Sequence, residues 1–450
     1  MTSTATIAPA RTCAYTVVRR VFERGAYADQ ALQAESGSLD QRDRALAMRL
    51  AYGTVQRSGT LDHLIERLAG RPLARLDPPV LGALRLGLYE LLYMRGSPDY
   101  AIVADAVELA KGGARAGHGL VNAVLRRAAR EGAEALLGDL HDRTPEDAAV
   151  MHSHPEWIAR LWWSELGPDD ARALMAYDNE AGEFALRANT LRIDPQALAD
   201  ELGVRTHTDT ELPEALVLEE PLDIQSSPLW AAGAFIAQSR GAMLVARALA
   251  PEPGERVLDL CAAPGGKSTH LAALMAGTGE VLAVEHDRRR AGALARAAQR
   301  LGAANVRVEV ADAAMARPEG AVFDRVLVDP PCSGLGTLQA RPDLRWRVSV
   351  AAIAEMARAQ AEILAAGAAA VRPGGVLVYS TCTISPSENE RLIAAFLDSN
   401  SDFGLDDLAA EMPAHAMSAG GGSVPAGLVQ TLPHRDRTAG FFIARLLRRS

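Results

Sequence analysis

A chain of 450 residues, 48% of them hydrophobic, can bury substantial cores and should fold as two or three domains. Nowhere do 18 apolar residues run uninterrupted, Ala361–Val371 coming nearest, and Met1–Arg19 lacks the apolar core of a signal peptide, so a cytoplasmic chain without a membrane partner is expected. A net charge of −9 does not announce a nucleic-acid partner, yet the charge is uneven: residues 1–140 carry 18 Lys+Arg against 15 Asp+Glu, and the remainder 29 against 41.

Along residues 11–132 the apolar spacing is helical, as in Val17/Val18/Val21/Phe22, Leu61/Leu64/Ile65/Leu68 and Leu84/Leu88/Leu91/Leu92, with almost no strand signal. Asp40 can cap a helix that has Asp43 in its first turn, and Pro78-Pro79 can open the next but one. A compact helical domain follows, ending near residue 140. Its basic spots (Arg19-Arg20, Arg126-Arg127 with Arg130), like Arg341/Arg345/Arg347 further on, read most simply as solvated helix faces. Only Lys111 and Lys267 stand among 47 basic residues, a bias that reflects composition more than phosphate binding. After a polar stretch comes a mixed segment with Trp157, Trp162, Trp163 and a short strand at Phe184–Asn189, bounded near 235.

From Gly254 strands and helices alternate. Strands are predicted at Arg256–Leu260, Val281–Glu285, Val306–Val310, Arg325–Asp329 and Val376–Ser380, with helices at Arg288–Leu301 and Ala351–Val371 between them. Such short apolar strands make a parallel sheet covered on both faces, closed by a last strand at Gly440–Leu446 that could run antiparallel. Ligands of these sheets bind at the carboxyl ends of the strands, and Glu285, Asp312, Asp329, Cys332 and Cys382 all fall at or just beyond such ends.

Three cofactors compete for the strand-turn-helix segment that includes Cys261-Ala262-Ala263-Pro264-Gly265-Gly266-Lys267-Ser268. Gly266-Lys267-Ser268 matches the end of a P-loop, but the pattern needs glycine at 261. A dinucleotide fingerprint is absent as well. S-adenosylmethionine fits best: Glu285, about 20 residues beyond the turn, suits ribose hydroxyls, Gly265-Gly266 offers backbone donors at close approach, and Asp312 offers a polar group for adenine.

The four cysteines (Cys13, Cys261, Cys332, Cys382) form no CxxC pair and no zinc-spaced cluster, so reduced thiols and no metal are expected. Free cysteine is most often a small buried hydrophobe. Cys332, directly after Asp329-Pro330-Pro331, and Cys382, in Ser380-Thr381-Cys382-Thr383, instead sit among polar turn residues at strand ends. Transfer to an exocyclic nitrogen would call for an aromatic after Pro-Pro; a thiol there suits carbon 5 of a pyrimidine. That carbon becomes nucleophilic only when a thiolate adds at carbon 6, and its proton must later leave. Two cysteines could divide those tasks, in either order.

The motifs Cys261–Lys267, Asp329-Pro330-Pro331-Cys332-Ser333-Gly334, Arg341-Pro342-Asp343 and Ser380-Thr381-Cys382-Thr383 resemble those of the Sun family of RNA cytosine-5 methyltransferases. Leu120-Val121-Asn122-Ala123-Val124-Leu125-Arg126 makes residues 11–132 similar to the NusB helical RNA-binding domain, and His154-Pro155-Glu156-Trp157 matches the family's linker. The resemblance implies an all-α NusB-like domain over 1–140, a small mixed α+β subdomain over 141–235, and a Rossmann-like methyltransferase domain over 236–450, doubly wound and mostly parallel. It makes Cys382 the nucleophile and Cys332 the aid to release, has Asp329 hold the base edge, and gives the cofactor site Cys261, Ala262, Ala263, Pro264, Gly265, Gly266, Lys267, Glu285, Asp312 and Asp329. The implied partner is 16S ribosomal RNA, unassembled or partly assembled, acted on by a monomer. The active site alone leaves transfer RNA open as substrate, and an idle binding module is the reading from another class. Two positions depart from the family pattern, Ser239 after Gln238 and Thr438 before Ala439-Gly440, where acids are usual.

Overall fold

The computed structural model describes residues 7–113, 116–224, 226–315, 323–417 and 427–450. Packing gathers them into two units, one of residues 1–180 with 338–348 and the other of 181–337 with 349–450. The compact units thus part between Glu180 and Ala181, inside the expected linker subdomain.

The first unit is helical, from Pro9–Arg24 through Gln41–Gln56, Ser58–Ala69, Pro78–Tyr93 and His118–Glu131 to Pro168–Tyr177. The Asp40 carboxylate accepts from Asp43 N–H, and Pro78 opens its helix as expected. Leu50, Leu61, Leu64, Ile65 and Leu84, all fully buried, centre the core. The basic spot at 341–347 is no solvated face throughout. Arg345 is fully buried and donates to the carbonyls of Ser153 (3.0 Å) and Asp178 (3.2 Å) and to Asn179 Oδ1 (3.1 Å), while Trp346 Nε1 donates to Val55 O (2.8 Å). A planar guanidinium with several donors can satisfy a set of carbonyls that the helices leave open.

The second unit holds two sheets. The smaller consists of β1 (Ala185–Ala188), β2 (Thr206–Thr208), β3 (Ala215–Leu218) and β4 (Phe235–Ala237), antiparallel in the order β2-β3-β1-β4. The larger contains β5 (Arg256–Leu260), β6 (Glu280–Glu285), β7 (Val306–Val310), β8 (Phe323–Val328), β9 (Val371–Thr381), β10 (Phe403–Leu405), β11 (Val429–Gln430) and β12 (Phe442–Arg448). Its order is β10-β12-β9-β8-β5-β6-β7, with β11 on β12; the run from β9 to β7 is parallel, and β12 is antiparallel to β9. This is the Rossmann-like, mostly parallel sheet expected.

Strand alternation builds a core on each face. Val257, Val281, Leu327, Val378 and Ile443 pack toward the helices Arg240–Leu249 and Gly266–Leu274, while Leu258, Leu282, Val326, Leu377 and Phe442 pack toward Val350–Ala370 and Glu390–Ser399. The register pairs Leu260 with both Val284 and Val328, and Val328 with Tyr379. The residues that follow these positions, Cys261, Glu285, Asp329 and the Ser380–Cys382 run, therefore emerge along one edge. Among the described residues no helix is long and apolar enough to cross a membrane, and no group of His, Cys, Asp and Glu could hold a metal ion.

Candidate active site

Where β5 ends, Cys261 takes a left-handed φ of 63°, and the chain turns through Ala262, Ala263 and an exposed Pro264 into a helix. Gly265, the N-cap, has φ 101°, and a Cβ there would lie 2.9 Å from Leu294 Cγ. Glycine is thus required at 265 by backbone conformation and by the packing of the helix Arg288–Leu301. At Gly266 a Cβ would meet the Gln238 side chain only at an ordinary 3.7 Å. The turn is held from β1: Arg187, 1% exposed, donates to Gly266 O (2.5 Å), Gln238 Oε1 (2.6 Å) and Thr269 Oγ1 (3.0 Å). Burial lowers the Arg187 pKa to about 9, which still leaves it charged near neutrality.

Glu285, at the end of β6, is buried. Its Oε1 accepts from Asp287 N–H (3.0 Å), and its Oε2 has no hydrogen-bond partner. Asp259, one residue inside β5, is also buried: Oδ2 accepts from Ser268 Oγ (2.6 Å), Oδ1 has no partner, and burial raises its pKa to about 7. Asp312, beyond β7, is exposed and accepts from Ala314 N–H (3.0 Å). Among the described residues no hydrogen bond or ion pair ties it to the other site residues.

Asp329, just past β8, is half-buried between two partners, Lys267 Nζ on Oδ2 (2.7 Å) and Ser380 Oγ on Oδ1 (2.8 Å). Burial lowers the Lys267 pKa, but the charge and hydrogen bond of Asp329, with the nearby Cys382 and Asp259, together outweigh it and the net shift is upward. Lys267 also lies 5.0 Å above the Phe441 ring. Cys332 and Cys382, fifty residues apart in sequence, have Sγ atoms 3.4 Å from each other. The hydrogen bond with Cys382, helped by burial, pushes the Cys332 thiol well above its ordinary range. Burial, with the Asp329 charge, pushes Cys261 up to about 12.

Sequence reading missed Asp259 and the polar residues behind the cysteines: Ser333, Gln360, Thr383, Glu388 and Asn389. An acid inside an apolar strand was the available signal for the first. Gln360 looks like an ordinary polar residue in mid-helix, and the others like turn and helix-entry residues, until the fold joins them. The two departures from the expected acids are also explained locally. Ser239 caps the helix Arg240–Leu249 by accepting from Ala242 N–H, and Thr438 Oγ1 accepts from Gly241 N–H (3.1 Å) while donating to Glu183 (2.5 Å).

An open α/β sheet with a glycine turn after its first parallel strand and an acid at the end of the second defines a nucleotide-type cofactor site. Comparison with known proteins narrows the class. Residues 246–447 match the family described as 16S rRNA methyltransferase RsmB/F, residues 8–130 the NusB family, and residues 154–225 the ferredoxin-like domain of the RsmF/B-like methyltransferases. The probable ribosomal RNA small subunit methyltransferase B of a Synechocystis species is 37% identical over 97% of this chain and 99% of its own length. The ribosomal RNA small subunit methyltransferase B of Klebsiella pneumoniae is 34% identical over 98% of each. Among solved structures, PH0851 superposes with a TM-score of 0.79 at 28% identity, covering 98% of this chain and 99% of its own; a methyltransferase homologue from Pyrococcus horikoshii gives 0.61 at 28%, covering 68% and 100%. The chain belongs to the RsmB/F family of S-adenosylmethionine-dependent RNA methyltransferases.

Proposed function

We propose that the protein methylates carbon 5 of a cytosine in 16S ribosomal RNA through a covalent bond between Cys382 and the base. The observation that carries this reading is the 3.4 Å pairing of two thiols at adjacent strand ends beside Asp329. The relatives' names supply the ribosomal substrate, and the NusB-like helices are suited to an RNA partner.

The residues present fit S-adenosylmethionine. The orphan Glu285 oxygen is an acceptor for ribose hydroxyls, the Cys261–Lys267 turn presents backbone donors at a helix N-terminus, and Asp312 stands beyond the third strand for adenine. The cofactor, when bound, supplies an electrophilic methyl group. Cys382 adds to carbon 6 of an extruded cytosine, making carbon 5 an enamine carbon that takes the methyl. Asp329, fixed by Lys267 and Ser380, accepts from the exocyclic amino group. Cys332 begins as a thiol held by Cys382. Once the Cys382 sulfur is bonded to carbon, its charge and its hydrogen bond no longer raise the Cys332 pKa, and Cys332 can give its proton to water and take the one from carbon 5 as the carbon–sulfur bond breaks and returns its electron pair to Cys382.

Single-residue variants test this. Cys332→Ala should accumulate a protein–RNA adduct that survives denaturing electrophoresis and needs S-adenosylmethionine, and Cys382→Ala should give neither adduct nor product. Accumulation in the Cys382 variant alone would reverse the roles; normal turnover in both would remove covalent catalysis.

A further inference from the structure

Behind the cysteine pair lies a buried carboxylate that the reaction itself does not use. Glu388, fully buried between β9 and the helix Glu390–Ser399, accepts three hydrogen bonds. Ser333 N–H (2.8 Å) and Gln360 Nε2 (3.0 Å) donate to Oε1, and Ser333 Oγ donates to Oε2 (2.5 Å). Ser333 is the residue after Cys332. Its hydroxyl also meets Thr383 Oγ1 at 2.7 Å, and Thr383 is the residue after Cys382. The ring closes from outside: Gln360 Nε2 donates to Pro331 O (2.9 Å), Asn389 Nδ2 donates to Thr383 O (2.9 Å), and Tyr379 O–H donates to the Glu388 carbonyl (2.7 Å).

All three donors to the Glu388 carboxylate are neutral, and no ion pair involving it is found among the described residues. Burying an anion without a cation is costly, and the three hydrogen bonds offset that cost. An amide in its place would keep an acceptor for Ser333 N–H and Gln360 Nε2, but its NH2 would have to donate to Ser333 Oγ and turn the Ser333 proton toward Thr383. The carboxylate accepts at both oxygens, and two of its three donors belong to the residue that follows Cys332.

We propose that Glu388 is a positioning residue for the cysteine pair, clamping the turn that carries Cys332 onto the turn that carries Cys382 so that the release thiol stands over the nucleophile. The proposal rests on the covalent reading above. Its electrostatic side agrees: after the hydrogen bond and charge of Cys382 and burial, the Glu388 charge is one of the causes that hold Cys332 protonated, beside that of Asp329, while Tyr379, facing the same thiol, stays neutral.

The test is Glu388→Gln in the full-length protein. It should leave S-adenosylmethionine affinity unchanged in calorimetry and lower kcat roughly ten- to hundredfold, the loss of one hydrogen bond to a charged group, without a matching rise in KM for RNA. Protein–RNA adduct should build up as it does in Cys332→Ala. A readout independent of turnover is the pH profile of Cys332 alkylation by iodoacetamide, read by peptide mass spectrometry. Its midpoint should fall in Glu388→Gln, while Cys13, buried in the helical unit, stays unlabelled. Unaltered kcat with an unaltered Cys332 profile would overturn the clamp. Should labelling of Cys13 reveal unfolding, Ser333→Ala, which deletes the two hydroxyl bonds of Ser333 but leaves its N–H on Glu388, carries the test: adduct build-up supports the proposal and wild-type release overturns it. If Cys332→Ala itself gives no adduct, the covalent reading fails, and the alkylation midpoint still decides whether Glu388 holds the turn.

Discussion

At the ends of β5 and β6 two buried carboxylates, Asp259 and Glu285, each keep an oxygen without a hydrogen-bond partner, whereas the buried side chains behind β8 and β9, from Ser333 and Thr383 to Glu388 and Asn389, are bonded throughout. An unsatisfied buried acceptor costs about 1–3 kcal/mol, so it persists where a ligand brings the donors. A closed ring of hydrogen bonds does the opposite: it spends stability on nothing outside itself and fixes the atoms it surrounds. One half of the crevice is built to be completed, the other to stay still. The contrast is physical and can be broken one residue at a time.

Asp259 should give the largest effect. Burial lifts its pKa from 3.8 to about 7 in the folded chain, so the folded state binds a proton more tightly than the unfolded one. Stability therefore falls as pH rises from about 4 to about 7 and is level above that, where the full cost of the buried charge is present. Asp259→Asn removes the charge. Its thermal midpoint should match wild type near pH 4 and exceed it at pH 8 by an amount corresponding to a few kcal/mol on the linkage relation. Parallel curves for the two proteins across that range would show that Asp259 is not strained by burial.

Glu285→Gln should act on the cofactor and not on the fold. The amide keeps an oxygen for Asp287 N–H and loses the acceptor that has no hydrogen bond, with only the 3.6 Å ion pair to the half-exposed Arg290 given up besides, so S-adenosylmethionine should bind about 1–3 kcal/mol more weakly in calorimetry while the ligand-free melting point changes little. Undiminished affinity would remove Glu285 from the cofactor site.

How much of this could be read from sequence depends on range. β5 and the helix Arg288–Leu301 fall where apolar periodicity puts them, because both are decided by neighbours a few residues away. Cys332, Cys382 and Glu285 lie at or just beyond strand ends, where the strand pattern puts them. β9 runs from Val371, five residues earlier than its apolar run suggests, since pairing with β8 carries it across Pro373-Gly374-Gly375. What stayed hidden acts over long separations. Arg187 reaches Gly266 O across 79 residues, Ser333 reaches Glu388 across 55, and Arg345 is buried by carbonyls more than 160 residues away in sequence. Each is a polar residue whose local context reads as surface. Only the fold reveals that a distant backbone needs its donors or acceptors.

The smallest predicted effect tests the rigid half. Thr383 O–H donates to Ser333 Oγ, because the single Ser333 proton is committed to Glu388. Thr383→Val keeps the branched shape and deletes that donor, leaving Ser333 Oγ one acceptor site short of filled but no donor stranded. The cost should be about 0.5–1.5 kcal/mol of folding stability, the ordinary net value of one neutral hydrogen bond. S-adenosylmethionine affinity should not change, since no member of the ring belongs to the turn at Cys261–Lys267. The sign pattern is then opposite to that of Glu285→Gln: a less stable ligand-free protein with intact cofactor binding, against an equally stable one with weakened binding. If Thr383→Val weakens the cofactor as much as Glu285→Gln does, the two halves share one network and the division between them is wrong.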